Sequence, residues 1–102
     1  MDENLLSLII PIFNEEENIK PLIEHIHSAL KGLSYEVILV DDCSTDSSVT
    51  NIQKLADPKV HLVQLKKNYG QSLALAAGFE VAQGVYLITM DGDLQNLSLI
   101  HI

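Results

Sequence analysis

Four short, nearly uninterrupted apolar runs, separated by helix-length segments, constrain the fold of this chain most tightly. They are Leu5 to Ile12, Tyr35 to Val40, Val60 to Leu65 and Val85 to Met90. Such runs suit strands buried on both faces, as in parallel sheets covered by helices. Between the first two, Ile19, Leu22, Ile23, Ile26 and Leu30 follow the helical period and Gly32 ends it. Val49, Ile52 and Leu55 mark a second helix stopped by Asp57-Pro58, and Gln71 to Gln83 is an Ala-rich third helix closed by Gly84. The alternation predicts an α/β fold. Its sheet should be open, mainly parallel and Rossmann-like, in strand order 3-2-1-4, with right-handed crossovers and helices on both faces.

Local signals refine the picture. Asn14, with Glu17 three residues on, reads as a capping box that starts the first helix, and Glu15, Glu16 and Glu17 fall where a helix dipole favours negative charge. The segment Asp41-Asp42-Cys43-Ser44-Thr45-Asp46 reads as a polar turn capping the second helix. Gly78, inside the third helix, costs about 1 kcal/mol relative to Ala, which points to close packing on the sheet.

Composition narrows the functional classes. The 102 residues make one small domain, and the net charge of −8 disfavours nucleic acid, whose phosphates call for a basic surface. No apolar run approaches the ~20 residues of a membrane span, and no secretory leader is expected ahead of the first strand. The single cysteine, Cys43, excludes an internal disulfide and fits a reducing, cytoplasmic setting. No histidine is near it in sequence, which argues against a catalytic thiol. His25 and His27 are two apart on a helix and do not share a face, and His61 reads as a surface or edge histidine.

A parallel sheet binds ligands outside the carboxyl ends of its strands, and here every unusual polar cluster falls at one. Pro11 to Glu15 follows the first strand, Asp41-Asp42 the second, Asn68 to Gly70 the third and Asp91-Gly92-Asp93 the fourth. Asp91 and Asp93, at i and i+2 in extended chain, have backbones about 6.6 Å apart on one face and can converge on one hard cation. Without any arginine, a diphosphate is held only with help from a metal, backbone N–H groups or lysine. Taken singly, each cluster also has a plain reading: Asp41-Asp42 a solvated cap, Asp91-Gly92-Asp93 a turn, Lys66 and Lys67 solvent-facing charges, Phe13 and Tyr69 packing residues.

Taken together, five motifs occur in order. Pro11-Ile12-Phe13-Asn14-Glu15, Val40-Asp41-Asp42-Cys43-Ser44-Thr45-Asp46, Asn68-Tyr69-Gly70-Gln71, Ala77-Gly78-Phe79 and Asp91-Gly92-Asp93-Leu94-Gln95 resemble the nucleotide-binding half of family 2 glycosyltransferases with the GT-A fold. The Asp-Leu-Gln ending is most similar to the polyprenyl-phosphate branch. The resemblance implies a hexosyl transfer from a UDP- or GDP-sugar to a polyprenyl phosphate, metal-dependent and inverting. It implies that Pro11, Phe13 and Glu15 line the pocket for base and ribose, and that Val40 and Asp42 contact the base. Asp91, Gly92 and Asp93 match the metal and diphosphate motif, and Gln95 a further ligand of Mg2+ or Mn2+. Lys67 stands where the family commonly has arginine.

The same resemblance sets the expected limits. Residues 1–96 match a nucleotide-sugar-binding half, and residues 97–102 read as an atypical tail, as at a truncated gene end. Catalytic base, acceptor subsite and membrane anchor are expected outside this chain, which would leave it inactive alone, exposing apolar surface along the fourth strand and tail. The full-length parent is expected at the cytoplasmic face of the membrane. Two alternatives stay open: a non-catalytic nucleotide-binding fragment, and a phosphoacceptor receiver-like signalling module. The latter needs a lysine after the fourth strand, which is absent. A nicotinamide-binding fold is disfavoured because no Gly-x-Gly-x-x-Gly follows the first strand.

Overall fold

The computed structural model describes residues 4–90 and, as backbone, 97–101. The chain runs β1 (Leu6–Ile12), α1 (Ile19–Ala29), β2 (Tyr35–Asp41), α2 (Ser48–Leu55), β3 (Val60–Gln64), α3 (Gln71–Val81), β4 (Tyr86–Met90) and β5 (Leu97–His101). The strands form one sheet in order β3-β2-β1-β4-β5. The first four are parallel, with Ile9 opposite both Ile38 and Thr89, so the expected 3-2-1-4 order is present. The fifth strand runs antiparallel to β4. The sequence pattern assigns Leu97 to His101 no element; the segment covers the edge of β4 that was expected to stand open.

Strand parity sorts the core into two layers. Leu8, Ile10, Ile12, Val37, Leu39, Ile88 and Met90 pack with Ile19, Leu22, Ile23 and Ile26 of α1 and Ile52 of α2. On the opposite face Ile9, Ile38, Val40 and Leu87 pack with Ala74 of α3. Helices therefore cover both faces. The close packing expected of Gly78 is present: a Cβ there would lie 2.3 Å from Ile9 Cγ2 and 3.2 Å from Val40 Cγ2. Below 3.0 Å something must shift, so α3 rides on β1 at a distance only glycine permits.

At the amino ends of the strands a polar cluster ties helices to sheet. His27 Nε2 meets Asp57 Oδ2 at 2.6 Å, its Nδ1 meets the Tyr35 hydroxyl, and Lys59 Nζ sits 4.4 Å over the Tyr35 ring. Burial, followed by the charge of Asp57, raises the Tyr35 phenol. Burial alone would raise the Asp57 carboxyl, but the Lys59 amide and His27 outweigh it and hold the carboxyl below its ordinary range. On the α3 side the Glu36 carboxylate accepts from Ser7 Oγ at 2.6 Å and from the Gln83 amide at 2.8 Å, with His61 Nε2 3.4 Å from its other oxygen. Among the described residues no helix is long and apolar enough to cross a membrane.

Candidate functional site

The β1 strand is central, and the chain leaves its carboxyl end at Phe13. The Ile12 carbonyl accepts the Asp42 amide at 2.8 Å, which carries the β1–β2 pairing one step past β2 and sets Asp42 beside the start of the β1–α1 loop. A cleft of about 200 Å3 opens there, lined by Pro11, Ile12, Phe13, Glu15, Asp42 and Gln71. Four residues singled out in the sequence, Pro11, Phe13, Glu15 and Asp42, thus come together. Ile12 and Gln71 join them without having been assigned a role; Gln71 opens α3, and its place in the Asn68-Tyr69-Gly70-Gln71 motif was the available signal.

The carboxylate of Asp42 is buried and occupied. Its Oδ1 accepts the Tyr69 amide at 2.7 Å and its Oδ2 the Gly70 amide at 2.9 Å. Gly70 sits at φ +90°, a left-handed conformation that glycine adopts without a Cβ penalty. Each Asp42 oxygen keeps a second lone pair, so the side chain both anchors the β3–α3 loop and can accept a donor from the cleft. Phe13 is 44% exposed at the cleft wall. Glu15 is half-buried, and its Oε2 accepts Asn18 Nδ2 at 2.6 Å.

Three sequence expectations need correction or placement. Asn14 does not cap α1: the helix begins at Ile19 with Asn18 as N-cap, and Asn14, at φ 53°, turns its Oδ1 to the Thr45 amide at 2.8 Å. The left-handed backbone and a partner 31 residues away win over the local cap. Val40, expected among the base contacts, has its side chain fully buried on the α3 face beside Gly78; it is the register partner of the cleft residue Pro11 but is not itself among the residues that line the cleft. Asp91, Gly92, Asp93 and Gln95 lie outside the described residues. Among the described residues no three His, Cys, Asp or Glu side chains converge to hold a metal.

The polar turn after β2 is a scaffold more than a ligand. Asp41 accepts the Ser44 amide at 3.0 Å and the Ser44 hydroxyl at 2.5 Å. Asp46 accepts the Ser48 amide at 2.9 Å and hydroxyl at 2.6 Å, and the Glu16 amide at 3.2 Å. Burial alone would raise the Asp46 carboxyl, but these bonds outweigh it and hold the group below its ordinary range. Cys43, at φ 62°, places its Sγ 3.6 Å from the Lys66 carbonyl oxygen.

An open α/β sheet with an acid-lined cleft at the carboxyl ends of its central strands defines a ligand-binding α/β domain of the doubly wound kind. The chain belongs to glycosyl transferase family 2, whose model matches residues 7–98. It is 44% identical over 96 residues to the dodecaprenyl-phosphate galacturonate synthase of Rhizobium johnstonii, covering 89% of this chain and 28% of that protein. It is 45% identical over 100 residues to an undecaprenyl-phosphate 4-deoxy-4-formamido-L-arabinose transferase of Aeromonas hydrophila, covering 93% of this chain and 31% of that one. The chain thus spans less than a third of the length of these curated relatives. The fold is shared with S. aureus TarS 1-349, solved in complex with UDP-GlcNAc (TM-score 0.76, 28% identity, 86% of this chain and 26% of that chain). It is also shared with the mannosyltransferase PcManGT of Pyrobaculum calidifontis, solved with GDP-Man and Mn2+ (TM-score 0.77, 24% identity, 88% and 27%). The receiver-like alternative falls with the family match, and with a strand order unlike the 2-1-3-4-5 of flavodoxin-like modules.

Proposed function

We propose that this chain forms the donor side of a glycosyltransferase that moves a sugar from a UDP- or GDP-sugar to a polyprenyl phosphate. One observation carries the reading: Pro11, Phe13, Glu15 and Asp42 surround one cleft at the carboxyl end of β1. The exposed Phe13 ring offers a stacking face for a base, and the carboxylates accept N–H or ribose hydroxyl donors. The acceptor class is supported by the relatives, whose names give dodecaprenyl and undecaprenyl phosphates.

Asp91 and Asp93, with Gln95, follow β4, the strand beside β1. They present oxygen donors only, the set that Mg2+ and Mn2+ take in preference to zinc. A divalent cation held there supplies the charge neutralisation that lets a diphosphate leave. In the proposed transfer an oxygen of the polyprenyl phosphate attacks the anomeric carbon. The bond from that carbon to the diphosphate breaks on the opposite face, the nucleoside diphosphate departs with the electron pair, and configuration inverts. The attacking oxygen is already ionised and needs little general base. The acceptor side is proposed to lie in the length of the relatives that this chain does not cover.

Calorimetry of UDP, GDP and their sugars on the chain, with Mn2+ and with EDTA, tests the reading. Diphosphate binding is expected to weaken with EDTA and in Asp93→Ala. Equal affinity with and without metal would remove the metal from the reading, and absence of any nucleotide binding would remove the donor cleft.

A further inference from the structure

Three consecutive amides of the β1–α1 loop are held by the β2–α2 loop and the first residue of α2. The Asn14 N–H donates to Ser44 Oγ at 2.9 Å, and that hydroxyl donates onward to Asp41. The Glu15 N–H donates to Ser48 Oγ at 2.9 Å, which donates onward to Asp46 at 2.6 Å. The Glu16 N–H reaches Asp46 directly at 3.2 Å. Asn14 answers from the other side: its Oδ1 accepts the Thr45 amide at 2.8 Å and the Thr45 hydroxyl at 3.3 Å. Asn14 is itself exposed and does not line the cleft, yet both its neighbours in the chain, Phe13 and Glu15, do.

We infer that Asn14 is a positioning residue for the donor cleft: its side-chain amide clasps the neighbouring loop at Thr45 and so fixes how Phe13 and Glu15 face Asp42. The inference deepens the donor-cleft reading and rests on it. The physical basis is local. Asn tolerates the left-handed backbone that this position takes, φ 53°. The chain bends at Phe13 and Asn14. The side chain then spends its acceptor on the second loop instead of on a local cap. Removing the acceptor takes the Thr45 amide and hydroxyl bonds from the clasp and leaves the amide relays, so the loop that carries both cleft side chains is held less firmly.

The test compares Asn14→Gly, which keeps the backbone free to be left-handed but lacks the acceptor, with Asn14→Asp, which keeps both. UDP affinity with Mn2+ is read by calorimetry on the full chain, beside circular dichroism and thermal unfolding. Asn14→Gly is expected to bind UDP on the order of tenfold more weakly with an unchanged spectrum, and Asn14→Asp to restore binding. Should the glycine variant fail to fold, hydrogen exchange at the Thr45 amide of the wild-type chain decides: protection is expected there, and its absence would overturn the clasp. Wild-type affinity in Asn14→Gly, or an Asn14→Asp variant as weak as Asn14→Gly, would overturn the inference. A wild-type chain that binds no nucleotide would overturn the donor-cleft reading first, and the wild-type titration alone distinguishes that case.

Discussion

The carboxylate of Asp42 accepts the backbone N–H of Gly70 at 2.9 Å, across 28 residues of sequence. With the Tyr69 amide on its other oxygen, one buried side chain joins the end of β2 to the start of α3 and closes one wall of the cleft. A residue proposed to contact the base thus also holds the loop that carries Tyr69 and leads into Gln71.

Asp42→Ala should therefore do more than remove an acceptor from the cleft. Hydrogen bonds to a charged group are worth about 1.5–3 kcal/mol, and two are lost together. A fall in stability of about 3 kcal/mol in urea titration is expected, the low end of that sum because water reaches the freed loop amides, together with faster hydrogen exchange at the Tyr69 and Gly70 amides. Protection at those two amides equal to wild type would show that the loop is held by something else.

Gly78→Ala separates helix propensity from packing. In an exposed helix the change gains about 1 kcal/mol. Here the new methyl meets Ile9 Cγ2 at 2.3 Å and Val40 Cγ2 at 3.2 Å, and overpacking of a filled core costs roughly 1–3 kcal/mol. A net loss of thermal stability is expected. A rise in the melting temperature would mean that α3 can lift from β1 at no cost.

How much of the molecule is legible in its sequence differs by residue. The parallel strands and two-faced core follow from apolar runs that need no tertiary information, while the order 3-2-1-4 is one of the doubly wound orders that pattern allows. Gly78 is legible too, since glycine within an Ala-rich helix gives up helix propensity and gains only the space of its missing Cβ. Asn14 is not: an Asx side chain can cap its own helix or clasp a distant loop, and only the placement of Thr45 decides. Val40 is open to a parity argument, because it alternates with Asp41 and shares its face with Ile38. Leu97 to His101 alternates too briefly to declare a strand before β4 is there to pair with it. The His27, Tyr35 and Asp57 cluster joins residues up to 30 apart and leaves no local pattern.

That cluster and Asp46 contribute to the acid limb of stability. Both Asp46 and Asp57 have carboxyls held below their ordinary range in the folded chain. A group whose folded pKa is depressed stabilises fully above its unfolded pKa and loses that contribution as pH falls through the folded value. Stability should thus decline below about pH 4, the usual carboxylate value. Asp57→Asn should flatten part of that decline while lowering stability at neutral pH. Urea midpoints followed across acid pH for both proteins give the comparison; parallel curves would mean that Asp57 contributes nothing to the acid limb.

Donor binding and turnover should separate in this chain. Holding reactants together in the correct orientation can supply up to ~7–11 kcal/mol of a barrier, but only when both reactants are held. The cleft described here is proposed to serve one of them, with Phe13 against a base and Glu15 and Asp42 accepting its donors; all three line it. The chain covers less than a third of relatives named for polyprenyl-phosphate products. The expectation is that the 102 residues bind a nucleoside diphosphate and transfer no sugar, whereas a chain extended to the relatives' length does both. A radiolabelled transfer assay with polyprenyl phosphate, run on the two lengths side by side, measures this. Metal-dependent turnover by the 102-residue chain, abolished in Asp93→Ala, would show that the residues after Met90 already complete an acceptor site.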